Sequence, residues 1–127
     1  MTVHDMARFG LLMQRAGRWG DREVVPADEL DRVLRPSQPL NPSYGELWWL
    51  NGQEAHQLPQ RPRRPGPLLP SAPEDLVSAL GADDQKIYVS RSTGLVVTRL
   101  GQAAAPRAAS LSDFDDELWK RLLAARG

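Results

Sequence analysis

The sequence predicts an α+β fold, and three observations carry that expectation. Amphipathic segments opened by capping boxes stand near both ends of the chain, at Thr2 and at Ser112. A hairpin pattern occupies 85–101, with strand-like runs on either side of Arg91-Ser92-Thr93-Gly94. Between them lies an aromatic and apolar run of strand length, Tyr44-Gly45-Glu46-Leu47-Trp48-Trp49-Leu50, which ends in the turn pair Asn51-Gly52. With 127 residues the chain holds at most one domain, 1–127, long enough to bury a core if its elements pack together.

Taken in order, Thr2 with Asp5 three residues later starts a helix over 3–16, in which Met6, Phe9, Met13 and Ala16 recur at helical spacing until Gly17 ends it. Trp19-Gly20-Asp21-Arg22 is turn-like. Pro26, then Asp28, Glu29, Leu30, Val33 and Leu34, predict a second, shorter helix stopped before Pro36, which makes 3–34 a helical part. Pro36, Pro39 and Pro42 keep the backbone extended as far as the 44–50 strand. From 53 to 73 the apolar pattern fades and prolines crowd together with Arg61, Arg63 and Arg64, which predicts a surface loop without regular structure.

The remaining part, 74–127, holds the hairpin and a C-terminal helix. Asp75 to Leu80 is expected to make one or two helical turns ending at Gly81. In the second strand of the hairpin, apolar residues fall on both alternation phases (Leu95 and Val97, Val96 and Leu100), the pattern of a sheet covered on both faces. Gln102 to Ser110 reads as an Ala-rich loop broken by Pro106. Ser112 and Asp115 then open a helix with Phe114, Leu118, Trp119, Leu122 and Leu123 on its apolar side, acidic residues first and Lys120, Arg121 and Arg126 toward its end. That helix can cover one face of the hairpin. No other segment obviously covers the second face, so an open sheet face is expected.

Composition excludes several function classes. Sixteen acidic and sixteen basic residues balance, so no long-range field favours nucleic acid or an anionic membrane. The absence of cysteine removes disulfides, thiolate metal sites and cysteine nucleophiles. No apolar run approaches the ~20 residues needed to span a bilayer, and the first residues lack the charged-then-apolar pattern of a secretory signal. As written, the chain is expected to be soluble and cytoplasmic, and a helix starting directly after Met1 has the look of a truncation. His4 and His56 are poorly surrounded by other ligand types and are expected to be solvated rather than metal-bound or basic; no cofactor is implied. Adjacent Trp48 and Trp49 point to opposite faces of a strand, as packing residues do and a stacking platform does not. Pro59 to Pro65 with its arginines has the composition of a polyproline ligand, though a solvated loop accounts for it more simply. Asp115-Asp116-Glu117 is explained by the helix dipole rather than by acid–base chemistry.

Four stretches, in this order, resemble the end of the serine β-lactamase and penicillin-binding-protein-like hydrolases, especially the class C-like branch of esterases and nylon-oligomer hydrolases. They are Asp5-Met6-Ala7-Arg8-Phe9-Gly10-Leu11-Leu12 with Gly17-Arg18-Trp19-Gly20; Tyr44 to Trp49; Ala79-Leu80-Gly81-Ala82-Asp83-Asp84-Gln85-Lys86-Ile87-Tyr88-Val89 running into Leu95-Val96-Val97-Thr98-Arg99-Leu100-Gly101; and Phe114-Asp115-Asp116-Glu117-Leu118-Trp119. The resemblance implies a partial β-lactamase-like fold, in which the last antiparallel strands are backed by the C-terminal helix and the opening helices belong to the helical half. It also implies that an N-terminal strand and helix, absent here, pack beside these elements and would explain an uncovered sheet face.

Catalysis in that family needs a serine activated by a lysine one helical turn away, and a tyrosine-centred second motif that moves protons. No serine of this chain has a lysine three residues later, the only lysines being Lys86 and Lys120, and neither Tyr44 nor Tyr88 has an asparagine two residues on. The resemblance leaves one active-site element: the segment Gly81-Ala82-Asp83-Asp84-Gln85, where the Ala82 N–H, flanked by Gly81 and Asp83, corresponds to an oxyanion donor. The chain is therefore expected to be part of a hydrolase acting on small esters, amides or β-lactams, inactive alone, and to partner the N-terminal half of the same fold. The alternative expectation is a non-catalytic interaction module that docks a partner through its open sheet face.

Overall fold

A computed structural model describes residues 1–104 and 111–127. The first helix, α1 (Val3–Gln14), is closed at its start by a capping box, in which the Thr2 hydroxyl accepts from the Asp5 N–H at 3.2 Å and the Thr2 N–H donates to the Asp5 carboxylate at 2.9 Å. Gly17 turns the chain with φ +84°, where an added Cβ would collide with the Val25 carbonyl oxygen, leaving no room for a side chain. A short hairpin, β1 (Arg18–Trp19) and β2 (Arg22–Glu23), leads into α2 (Ala27–Val33).

The expected strand over 44–50 contracts to β3 (Trp49–Leu50). Leu47 takes a left-handed conformation (φ +66°), so the run folds back on itself, with Tyr44 bridged to Trp49 and the Gly45 N–H donating to the Trp48 carbonyl at 2.8 Å. Trp48 and Trp49 still enter opposite cores, as adjacent strand residues must.

The stretch 53–73 is not wholly a surface loop. It holds a two-residue ladder of β4 (Ala55–His56) and β5 (Arg64–Pro65), and beyond it Leu68 and Leu69 are buried at 6% and 2% exposure. Asn51 fastens the segment from beneath. Its side chain donates to the Leu69 and Pro73 carbonyls at 2.9 and 3.0 Å and accepts from the Leu69 N–H at 2.8 Å.

The helical turns expected over 75–80 are instead a strand, β6 (Val77–Leu80). One or two isolated helical turns leave most of their backbone groups unpaired, whereas the strand pairs with neighbours on both sides. After a 3₁₀ turn at Ala82–Asp84 come β7 (Lys86–Ser90) and β8 (Leu95–Arg99), and the chain ends in α3 (Asp113–Arg126), capped by Ser112 and Asp115 as predicted. The 102–110 loop falls, from 105 onward, outside the described residues.

The main sheet has the order β3-β6-β7-β8, every pair antiparallel. The mixed α+β class is thus as predicted. Central β7 is buried along its whole length, Ile87 and Val89 facing one core while Lys86 and Tyr88 face the other.

The expected open sheet face is absent. Helix α1 fills it so closely that a Cβ on Gly10 would sit 2.5 Å from Val96 Cγ1 and 3.0 Å from Ile87 Cγ2. Met6, Met13 and Leu30 complete that core with Trp48 and Leu50. The sequence expectation failed because α1 lies some 80 residues upstream of the hairpin it covers, a pairing that periodicity alone does not reveal. On the other face α3 packs Trp119 against Tyr88, Leu69, Leu76 and Trp49. Among the described residues no helix is long and apolar enough to cross a membrane.

Candidate functional site

The turn between β6 and β7 is set by local backbone bonds. The Gly81 N–H donates to the Gln85 carbonyl at 2.8 Å and the Gln85 N–H to the Ala82 carbonyl at 3.2 Å. Asp83 and Asp84 both sit in the left-handed region, at φ 55° and 61°, which aspartate tolerates better than most residues. Ala82 and Asp83 are exposed, and the Ala82 N–H lies outside the two bonds that close the turn. A cleft of about 550 Å³ opens beside Leu80, the residue that precedes Gly81, with Tyr44, Trp49, Asn41 and Gln57 among its walls.

Asp84 of this turn shares one buried polar cluster with Lys86, Tyr88 and Asp115. Lys86 Nζ lies 2.9 Å from Asp84 Oδ1 and 2.5 Å from Asp115 Oδ1, and all three side chains are fully buried. The Tyr88 hydroxyl donates to the same Asp115 oxygen, while the other Asp115 oxygen accepts the Ser112 N–H at 2.7 Å. Asp84 Oδ2 accepts the Ala104 N–H at 2.7 Å, and the Arg99 guanidinium donates to the Asp84 carbonyl at 2.9 Å. Burial alone would raise the Asp84 pKa. The Ala104 N–H, then Lys86 and Arg99, outweigh it and hold the carboxyl below its ordinary range. Burial, and then the hydrogen bond to Asp115, push the Tyr88 phenol well above its ordinary value, so it stays a neutral donor.

A lysine and a tyrosine two residues apart could suggest proton transfer, but both are sealed from solvent and committed to Asp115. The arrangement can clamp β7 to α3 rather than reach a substrate. The dipole account of Asp115 is therefore incomplete: it caps α3 and also neutralises a buried ammonium. A sequence signal was available, because Lys86 shares the strand phase of Tyr88 and Ser90, the phase covered by the C-terminal helix, and a lysine there needs a carboxylate partner.

Several serine hydroxyls have structural partners of other kinds. Ser43 donates to the Ala55 carbonyl at 2.9 Å, Ser71 to Asp116 at 2.8 Å, and Ser90 and Ser92 to Asp75 at 2.8 and 2.7 Å. Burial pushes the Asp75 pKa up, but the Ser92 N–H and the two hydroxyls bring it below its ordinary value. Asp75 thereby pins the hairpin turn to the start of β6. Next to it lies a cleft of about 330 Å³, floored by Met13, Leu50 and Val89, whose rim residue Arg91 reaches Asp31 at 3.2 Å. His4 is exposed, and His56 Nδ1 lies 2.9 Å from the Gly66 carbonyl, tying the β4–β5 ladder.

No protein-family model matches this chain, and no curated protein matches its sequence. The fold defines an α+β domain whose four-stranded antiparallel sheet is enclosed between helices, and its function rests on the residues themselves.

Proposed function

We propose that the chain forms one wall of a β-lactamase-like serine hydrolase and that it has no hydrolytic activity by itself. The observation that supports this reading is that the 81–85 turn, β7, β8 and α3 follow one another in the order of the last two resembling stretches, a hairpin followed by a C-terminal helix. The Ala82 N–H, flanked by Gly81 and Asp83, would polarise a substrate carbonyl as an oxyanion donor. Its exposure beside the Leu80 cleft supports that assignment. The nucleophilic serine, its lysine and the proton-shuttling tyrosine must come from other polypeptide, since Lys86 and Tyr88 are occupied in the buried clamp. The substrates would be small esters, amides or β-lactams.

The test is to incubate the purified chain with a chromogenic ester, a cephalosporin and a fluorophosphonate probe. No turnover and no covalent adduct are expected. Turnover together with labelling of a serine would sink the proposal, because it would require a nucleophile that the sequence does not contain in the family's form.

An interaction role is the second reading. Because α1 and α3 cover the two faces of the sheet, the outer edge of β8, with which no strand pairs among the described residues, offers a docking surface.

A further inference from the structure

We propose that the free edge of β8, together with the flank of α3 above it, joins two copies of this chain about a two-fold axis. β8 is the last strand of the sheet, and among the described residues no strand pairs with its outer edge. The strand itself lacks several of the usual guards of such an edge: Leu95-Val96-Val97-Thr98-Arg99 has no proline, no bulge in its pairing with β7, and a single charge at its end.

The helix above the edge presents a matching surface. α3 runs antiparallel to β8, with Phe114 at its start 5.2 Å from the Arg99 guanidinium and Arg126 at its end donating to the Thr93 carbonyl at 2.8 Å. Asp116 accepts from Ser71 and so marks the flank of α3 turned toward 66–73. Phe114, Leu118 and Leu122, four residues apart, lie on the opposite flank toward the β8 edge, where with Glu117 and Arg121 they line an apolar groove of about 420 Å³. On the other face of the sheet, Phe9 stacks on Trp48, so the flank of α1 toward β8 is the one bearing half-buried, uncharged Ala7 and Leu11.

The occupant these features select is a second copy. If β8 pairs antiparallel with itself about Val97, Leu95 meets Arg99 of the second copy and Val96 meets its Thr98, so no like charges oppose each other. The same operation lays α3 antiparallel beside its copy. Neighbouring strands lie about 4.8 Å apart, and α3 is tied both to β7, through Lys86 and Tyr88, and to the β8 hairpin, through Arg99 and Thr93, so an axis midway between the two strands brings the two helix axes to about 10 Å, an ordinary packing distance. Glu117 and Arg121, bonded within one chain at 2.6 Å, then face Arg121 and Glu117 of the second copy. An isologous contact requires such self-complementarity. The argument rests on the sheet and its charges and not on the hydrolase reading, so an inert chain that self-associates leaves both proposals standing.

Sedimentation equilibrium across a concentration series, with circular dichroism as a check of folding, tests it. The wild-type chain is expected to show a reversible monomer–dimer equilibrium. Glu117→Arg and Arg121→Glu are each expected to weaken dimerisation about tenfold, from like charges meeting twice across the axis. An equimolar mixture of the two variants is expected to regain the wild-type association by forming the heterodimer. A wild-type chain that stays monomeric at high concentration overturns the proposal. So does a dimer that is indifferent to both reversals or not restored by mixing.

Discussion

The two faces of the same sheet are built by different physics. Against α1 the contact is apolar and nearly seamless, with Gly10 allowing helix backbone to lie on Ile87 and Val96. Against α3 the same strands bury a lysine, two aspartates and a tyrosine beside Trp119. Burial on the first face is insensitive to ionisation. On the second it depends on each charge keeping its partner, because desolvating an unpaired charge costs more than most packing defects.

That contrast can be broken at its strongest point by Lys86→Met. The substitution leaves Asp84 and Asp115 buried without their cation, and removing one partner of a buried pair costs roughly 3–5 kcal/mol. Chemical denaturation should show the loss, and hydrogen exchange should place the first unprotected amides in α3 rather than α1. A uniform loss across both helices would contradict the division of the two faces.

Gly10→Val probes the other face. Added methyls would collide with Val96 and Ile87 and should cost roughly 1–3 kcal/mol, with protection lost first in α1. The same denaturation experiment measures it.

The smallest effect is acid sensitivity. The folded pKa of Asp84 lies below its unfolded value, so its contribution is fully present above the ordinary carboxylate range and is lost as pH falls through the depressed folded value. Asp75 acts in the same direction at the hairpin turn. Stability should therefore hold at neutral and mildly acidic pH and decline below about pH 4. An acid titration followed by tryptophan fluorescence checks this, and Lys86→Met should flatten the profile.

What was legible in the sequence follows from how local each signal is. The helices α1 and α3 announce themselves through Thr2 with Asp5 and Ser112 with Asp115, whose bonds span three residues. The hairpin is legible from its alternation and from Gly94 in the turn. β6 is not, because Val77 to Leu80 is short enough for either state and is decided by β3 and β7 on its two sides. Likewise nothing near Leu68 and Leu69 shows that Asn51 will draw them into the core. The turn at 81–85 is visible as a turn. The clamp behind it is not, since Lys86 and Asp115 meet across 29 positions of sequence and only the phase of Lys86 hints at it.

Asn51 also governs how the molecule ages. In an Asn-Gly pair the glycine backbone nitrogen readily attacks the asparagine side-chain carbonyl and expels the amide nitrogen as ammonia, giving a succinimide that water opens to aspartate or isoaspartate. Here that carbonyl is buried and accepts the Leu69 N–H, and its amide nitrogen is bound by two further carbonyls. The side chain that draws 66–73 into the core is thereby kept out of the attacking geometry, so the chemical lifetime of the Asn51 side-chain amide measures how often this corner of the fold opens.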